Sequence, residues 1–115
     1  MSIEVDTLTI DELTYNEAGL IPAVIVDVSD REVLMVAWMD KEAVRRTLDS
    51  GDVWFYSRSR ARYWRKGEES GNTLRAQEVR YDCDGDTLLI TCEVGGEGVV
   101  CHTGKRSCFY RTLPL

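Results

Sequence analysis

The chain has 115 residues, of which 43% are hydrophobic and 30% charged. That suits one globular domain spanning 1–115 and excludes collagen-like, coiled-coil and wholly disordered chains. The formal net charge of −6 argues against non-specific nucleic-acid binding, which needs a cationic surface. No stretch is long and apolar enough to read as a membrane-spanning helix. The first thirty residues carry seven acids and no Lys or Arg. The basic start of a secretory signal is therefore missing, and a cytoplasmic location is expected.

In chain order, Asp11 to Asn16 reads as one helical turn. Ile21 to Val28 is rich in β-branched residues and reads as a strand. Ser29-Asp30-Arg31 is a turn, and Glu32 to Trp38 reads as the second strand of a hairpin. Asp40 has the chemistry of an N-cap, because its carboxylate can accept otherwise unpaired backbone N–H groups. Lys41 to Ser50 is then helical, with Ala43, Val44, Thr47 and Leu48 at helical spacing and Gly51 as the stop. Val53 to Ser57 and Arg60 to Lys66 read as strands, Gly67 to Asn72 as a polar loop, and Thr73 to Tyr81 as a longer strand. After a turn at Asp82 to Asp86, Thr87 to Val94 reads as a strand with Leu88, Ile90 and Cys92 on one face. Gly95 to Gly98 is a turn. Val99 to Cys101 and Ser107 to Arg111 are expected to pair around the loop His102 to Arg106. The sum is a mainly β (α+β) fold of antiparallel sheets, or a partly open barrel, with one main helix.

Three groups of residues carry chemistry. Between Val53 and Gly67 there is no acid, while five of the 14 Lys and Arg residues, Arg58, Arg60, Arg62, Arg65 and Lys66, fall there. This segment is either a site for a small anionic ligand or a solvated strand face. If one strand runs through it, Arg58, Arg60, Arg62 and Trp64 share a face.

The four cysteines, Cys83, Cys92, Cys101 and Cys108, include no Cys-x-x-Cys pair. Cys92 reads as a small buried hydrophobe. The other three sit at strand ends or turns, and Cys101 and Cys108 bracket a short loop. They are either ligands of an open zinc site or unrelated thiols. The run Asp82-Cys83-Asp84-Gly85-Asp86 places three carboxylates in five residues, either holding a hard cation such as Mg²⁺ or Ca²⁺ or facing water as an acidic turn. With Asp82, Asp84, Asp86 and Glu93 at positions 1, 3, 5 and 12, a calcium EF-hand would need Gly where Thr87 stands, so that motif is rejected. His102 is the single histidine. Its ordinary pKa of about 6.5 suits a proton shuttle.

The segments Ser57-Arg58-Ser59-Arg60, Tyr63-Trp64-Arg65-Lys66-Gly67-Glu68, Ser70-Gly71-Asn72, Asp82-Cys83-Asp84-Gly85-Asp86 and Cys101-His102-Thr103-Gly104-Lys105-Arg106-Ser107-Cys108-Phe109-Tyr110 occur in that order. Together they resemble the phosphoribosyl-AMP cyclohydrolases of histidine biosynthesis, from about Gly19 to Arg111. Members often carry Gln where this chain has Leu74. The resemblance implies the single-function form and a homodimer. It also implies Zn²⁺ on Cys83, Cys101 and Cys108, with Cys83 from the other subunit, and Mg²⁺ on Asp82, Asp84 and Asp86. The implied reaction is hydrolysis of the C6–N1 bond of N1-(5-phosphoribosyl)-AMP by zinc-activated water. His102 is then the expected proton shuttle. Arg58, Arg60 and Lys66 are expected to hold phosphates, and Trp64 either stacks on the purine or packs in the core. No nucleic-acid or membrane partner is expected. The competing expectation is a non-enzymatic, zinc-stabilised nucleotide- or RNA-binding module, with Cys92 as fourth ligand.

Overall fold

The computed structural model of the chain describes residues 7–115, so Glu4 and Asp6 of the acidic N-terminal stretch lie outside the described residues. A short 3-10 turn, Ile10–Glu12, opens the described chain. Strands β1 (Ile21–Asp27) and β2 (Val33–Met39) precede helix α1 (Lys41–Ser50), and β3 (Trp54–Ser57), β4 (Arg62–Arg65), β5 (Leu74–Tyr81) and β6 (Leu88–Val94) follow. A four-stranded sheet has the order β2-β1-β6-β5, and β3 and β4 form a separate two-stranded sheet. The expected mainly β fold with one main helix is present. The sheets do not close into a barrel, and one pairing is parallel, β1 against β6 with Ala23 opposite Leu88 and Asp27 opposite Cys92. No helix among the described residues is long and apolar enough to cross a membrane.

Alternation builds the core. Ile21, Ala23 and Ile25 of β1 and Leu88, Ile90 and Cys92 of β6 point to the same side and are buried. Leu34, Met35 and Met39 of β2 and Leu74 of β5 join them, and Ala43, Val44, Val53, Phe55 and Val100 cover them. Leu74 is buried, so this position serves packing. Pro22 is accommodated because the β6 ladder begins one residue later, at Ala23.

The helix boundaries agree with the sequence. Asp40 Oδ1 accepts the Ala43 N–H at 2.9 Å, and Gly51 closes the helix at φ +81°, a left-handed conformation suited to Gly. The second oxygen of Asp40 accepts the Tyr63 hydroxyl at 2.6 Å. Burial first, then this carboxylate, pushes the phenol up to about 12. Arg46 lies over the rings of Tyr63 and Trp54, 4.3 and 5.0 Å from their centroids. The helix is thus fastened to the β3–β4 hairpin through one acid and one guanidinium.

Four local expectations are corrected. The N-terminal turn is earlier than Asp11 to Asn16 and ends at Leu13, whose ψ of 153° is extended. Leu48 is exposed. Thr47 takes the inward position, donating its hydroxyl to the Ala43 carbonyl and accepting the Trp54 N–H. The strand expected from Arg60 starts only at Arg62, because Ala61 adopts φ +50° and its N–H closes a turn on the Arg58 carbonyl. Arg58 and Arg60 therefore stand on that turn and not on one strand face with Arg62. The segments Val99 to Cys101 and Ser107 to Arg111 form no ladder. Backbone bonds from Val100 to Arg106 and from Cys101 to Lys105 close the loop, but the Cys108 N–H turns away to the Leu34 carbonyl at 2.7 Å.

Asp40→Ala removes the helix cap and the Tyr63 acceptor together. It is expected to lower the free energy of unfolding by about 2 kcal/mol, read as a reduced urea midpoint. A midpoint equal to that of the unmodified chain would deny the fastening role.

Candidate active site

The main cleft, of about 630 Å³, lies between the β3–β4 hairpin, the loop after β4 and His102. The hairpin carries Ser57, Ser59, Arg60, Arg62 and Trp64 into its wall, and the loop adds Lys66 and Glu68. Arg62 and Trp64 share a face of β4 by alternation. Trp64 opposes Phe55 across the hairpin, with ring centroids 4.8 Å apart. The indole therefore packs against the core on one side and lines the cleft on the other. Both uses expected for Trp64 are geometrically open at once.

The cations are held differently. Lys66 donates to the Val100 carbonyl at 2.6 Å, and its ammonium stands 6.0 Å from the Trp64 ring. Arg62 meets Glu68 at 3.3 Å. Arg60 lines the cleft from the hairpin turn, whereas Arg58 is not among the lining residues. Gly67 adopts φ +84°, and a Cβ there would come within 2.6 Å of the Asn72 backbone. Glycine thus lets the loop fold back tightly after Lys66. A cleft with several cations and an aromatic wall is chemically suited to an anionic ligand with a flat ring.

Next to the cleft, Cys101 and Cys108 flank the neck of their loop, near enough for each thiol to influence the other. The Thr103 hydroxyl lies 3.0 Å from Cys101 Sγ. Bonds from Thr103, joined by Cys108 and the charge of Lys66, pull the Cys101 thiol below its ordinary range. Burial, then the Cys101 sulfur, pushes Cys108 up. His102 directly follows Cys101, is exposed and lines the cleft.

Cys83 is elsewhere. It precedes β6, whereas the thiol pair follows it. The end of β6 lies beside the end of β1, where β2 begins, and Cys108 is bonded to Leu34 there. Cys83 and the Cys101–Cys108 pair thus occupy opposite ends of the sheet. Cys92 is in the core, and burial pushes its thiol up to about 12, which removes it from any thiolate set shared with the others.

Among the described residues, ligand atoms of Asp82, Asp84 and Asp86 lie within 4.8 Å of one another. Gly85 gives the turn its φ of +69°. Burial raises the Asp82 carboxyl, but the Asp86 N–H at 3.0 Å and further hydrogen bonds outweigh it and hold that group low. The carboxyls of Asp84 and Asp82 push Asp86 the other way. Crowding of this kind is relieved by a shared proton or a hard cation.

Two cleft residues, Arg62 and Glu68, were not assigned roles from the sequence. For Arg62 the signal was present in its alternation with Trp64. For Glu68 it was not, because its place depends on the tight return of the loop.

The family model for phosphoribosyl-AMP cyclohydrolase matches residues 35–110. The chain is 52% identical over 104 residues to the phosphoribosyl-AMP cyclohydrolase of Pelotomaculum thermopropionicum, an alignment covering 90% of this chain and 79% of that protein. It is 53% identical over 99 residues to the phosphoribosyl-AMP cyclohydrolase of Rhodopseudomonas palustris, covering 86% and 67%. It is also 48% identical over 106 residues to the histidine biosynthesis bifunctional protein HisIE of a Nostoc species, covering 92% and 49%. The chain thus spans about half the length of the bifunctional relatives it matches. The class these relatives define is that of a hydrolase acting on a nucleotide. The chain belongs to the phosphoribosyl-AMP cyclohydrolase family.

Proposed function

We propose that this chain hydrolyses N1-(5-phosphoribosyl)-AMP, opening the adenine ring at the C6–N1 bond, the third step of histidine biosynthesis. The observation that carries the reading is the cleft itself, whose lining brings together Arg60, Arg62, Lys66, Trp64 and His102. A substrate with a phosphate at each end and a purine between them asks for that combination. Arg60 and Lys66 hold phosphate oxygens, Arg62 supports them once it leaves Glu68, and Trp64 stacks on the ring. Arg58 stands off the cleft wall and is a candidate for a phosphate only at the rim.

The donor chemistry fits two kinds of ion. Thiolates of Cys101 and Cys108, with Cys83 as third ligand, suit zinc, and the carboxylates of Asp82, Asp84 and Asp86 suit Mg²⁺. When bound, zinc lowers the pKa of water towards about 7. His102 takes a proton from the attacking water and returns one to N1 as the C6–N1 bond breaks. Oxygen ends on C6 and the exocyclic nitrogen stays there, so no ammonia leaves. Asp82, Asp84 and Asp86 would hold a hard cation that orders the hairpin crest.

The thiol set also argues for a homodimer. β6 has seven residues and so spans roughly 20 Å, far beyond the roughly 2.3 Å reach of a zinc–sulfur bond. Cys83 joins Cys101 and Cys108 only if it comes from a second copy. A two-fold axis sets the start of β6 in one copy against its end in the other. The outer sheet face carries Val36 and Trp38, both exposed, with Pro22, Val24 and Leu89 beside them in register. This is an apolar surface for such a pairing. The binding-module reading loses its fourth ligand with Cys92 in the core.

The test is turnover of phosphoribosyl-AMP, followed by the ultraviolet change on ring opening; a zinc-loaded chain that leaves the nucleotide intact refutes the assignment. Cys83→Ser and Cys101→Ser are each expected to be inactive alone. Mixed after unfolding and refolding, they should regain about a quarter of full activity, because half of the randomly formed dimers carry one complete site of two. A mixture as inactive as its parts would sink the shared site. His102→Ala should keep its zinc and lose roughly 10²–10⁴ in kcat; an unaltered kcat would remove the shuttle role.

A further inference from the structure

Arg106 is not among the residues lining the cleft; its side chain meets the β1–β2 turn. One guanidinium nitrogen, Nη2, donates to Asp27 Oδ2 at 2.8 Å and to Asp30 Oδ1 at 2.9 Å. Asp27 is nearly buried at the end of β1. Its other oxygen accepts the Ser29 N–H at 2.8 Å and the Ser29 hydroxyl at 2.7 Å. The Asp30 oxygen that meets Arg106 also accepts the Glu32 N–H at 3.1 Å. Both acids are therefore fixed by the β1–β2 turn before Arg106 arrives. Both contacts commit the positive charge to the turn and not to a phosphate.

The backbone of Arg106 is as engaged as its side chain. Its carbonyl accepts the Val100 N–H at 3.2 Å, and the Val100 carbonyl accepts the Lys66 ammonium at 2.6 Å. One residue on, the Ser107 hydroxyl donates to the Val33 carbonyl at 2.7 Å, and the Cys108 N–H reaches Leu34. The loop from Cys101 to Cys108 thus leans on the β1–β2 turn through Arg106 at its centre. Lys66 is hung on the same frame.

We propose that Arg106, bracketed by Asp27 and Asp30, is a positioning residue that sets the spacing of the Cys101 and Cys108 sulfurs. The clamp acts from a neighbouring strand turn and touches no sulfur. Charge-assisted bonds from one guanidinium to two pre-oriented carboxylates are stiff enough to fix a loop of this length. The zinc arm of the test rests on the zinc reading above, whereas the thiol arm does not.

The experiment compares the unmodified chain, Arg106→Ala, the pair Asp27→Asn with Asp30→Asn, and all three changes together. Arg75→Ala, which breaks an ion pair of 3.0 Å to Asp52 away from the loop, is the control. Two readouts are taken on metal-free protein: capture by phenylarsine oxide, which needs two adjacent thiols, and zinc affinity by competition with a chelator. Loss of either side of the clamp should slow arsenical capture and weaken zinc by roughly 10–100-fold. The combined variant should be no worse than either alone, because both act through one contact. Arg75→Ala should match the unmodified chain. Capture and zinc affinity within twofold of the unmodified chain in all clamp variants would overturn the proposal, as would equal losses in Arg75→Ala. Slowed capture in a chain that takes up no zinc even unmodified would refute the zinc reading and leave the positioning role standing. Should Arg106→Ala fail to fold, Asp30→Asn, at an exposed position, makes the same comparison with a smaller expected loss.

Discussion

The parallel pairing of β1 with β6 decides where the candidate site residues stand. It joins strands far apart in sequence and sets their ends side by side, Asp27 next to Cys92. The turn that follows β1 and the loop that follows β6 are therefore neighbours. The acids of the first meet the guanidinium of the second. The same pairing sends the acid turn before β6 to the opposite end of the sheet. Had β6 run antiparallel to β1, the acid turn would lie beside the β1–β2 turn and the thiol loop would lose its support.

The cleft depends on a second, smaller construction. The β3–β4 hairpin is not part of the main sheet. It is attached through Phe55 in the core and through the Asp40–Tyr63 bond at the helix start. One carboxylate thus serves helix capping and hairpin placement together. Cations crowded on the hairpin repel one another, and the structure offsets this with local partners: Glu68 for Arg62, Asp52 for Arg65 and a backbone carbonyl for Lys66. Arg60 has no ion-pair partner at 4.0 Å or less among the described residues, consistent with a charge left available for a ligand.

Much of this was legible in residue order. Strands β1, β2, β3, β5 and β6 and helix α1 announce themselves through alternation, β-branched runs, an Asp cap and a Gly stop. Cys92 was identifiable as core because Leu88 and Ile90 stand four and two residues before it. The departures have physical reasons. Local pattern records which side a residue faces, not which strand lies beside it, so the β1–β6 pairing was hidden. Ala61 carries no turn signature, yet its left-handed backbone cuts the expected strand short and moves Arg58 and Arg60 onto a bend. The segment Ser107 to Arg111 reads as a strand because Phe109 and Tyr110 favour one, but the Cys108 N–H is claimed by β2. The ion pairs from Arg106 to Asp27 and Asp30 span 79 and 76 positions, and no window of sequence contains both ends. The acid turn and the bracketing cysteines are compact in sequence, and their types point to metal chemistry before any fold is known.

The indole of Trp64 meets the Phe55 ring at a tilt and also lines the cleft wall. Its emission is therefore sensitive to whatever displaces solvent from that wall, while its packed side keeps it from rotating. Trp54, by contrast, is covered by a guanidinium, and Trp38 lies on the far sheet face. The protein carries a built-in optical gauge of cleft occupancy, read without label or cofactor.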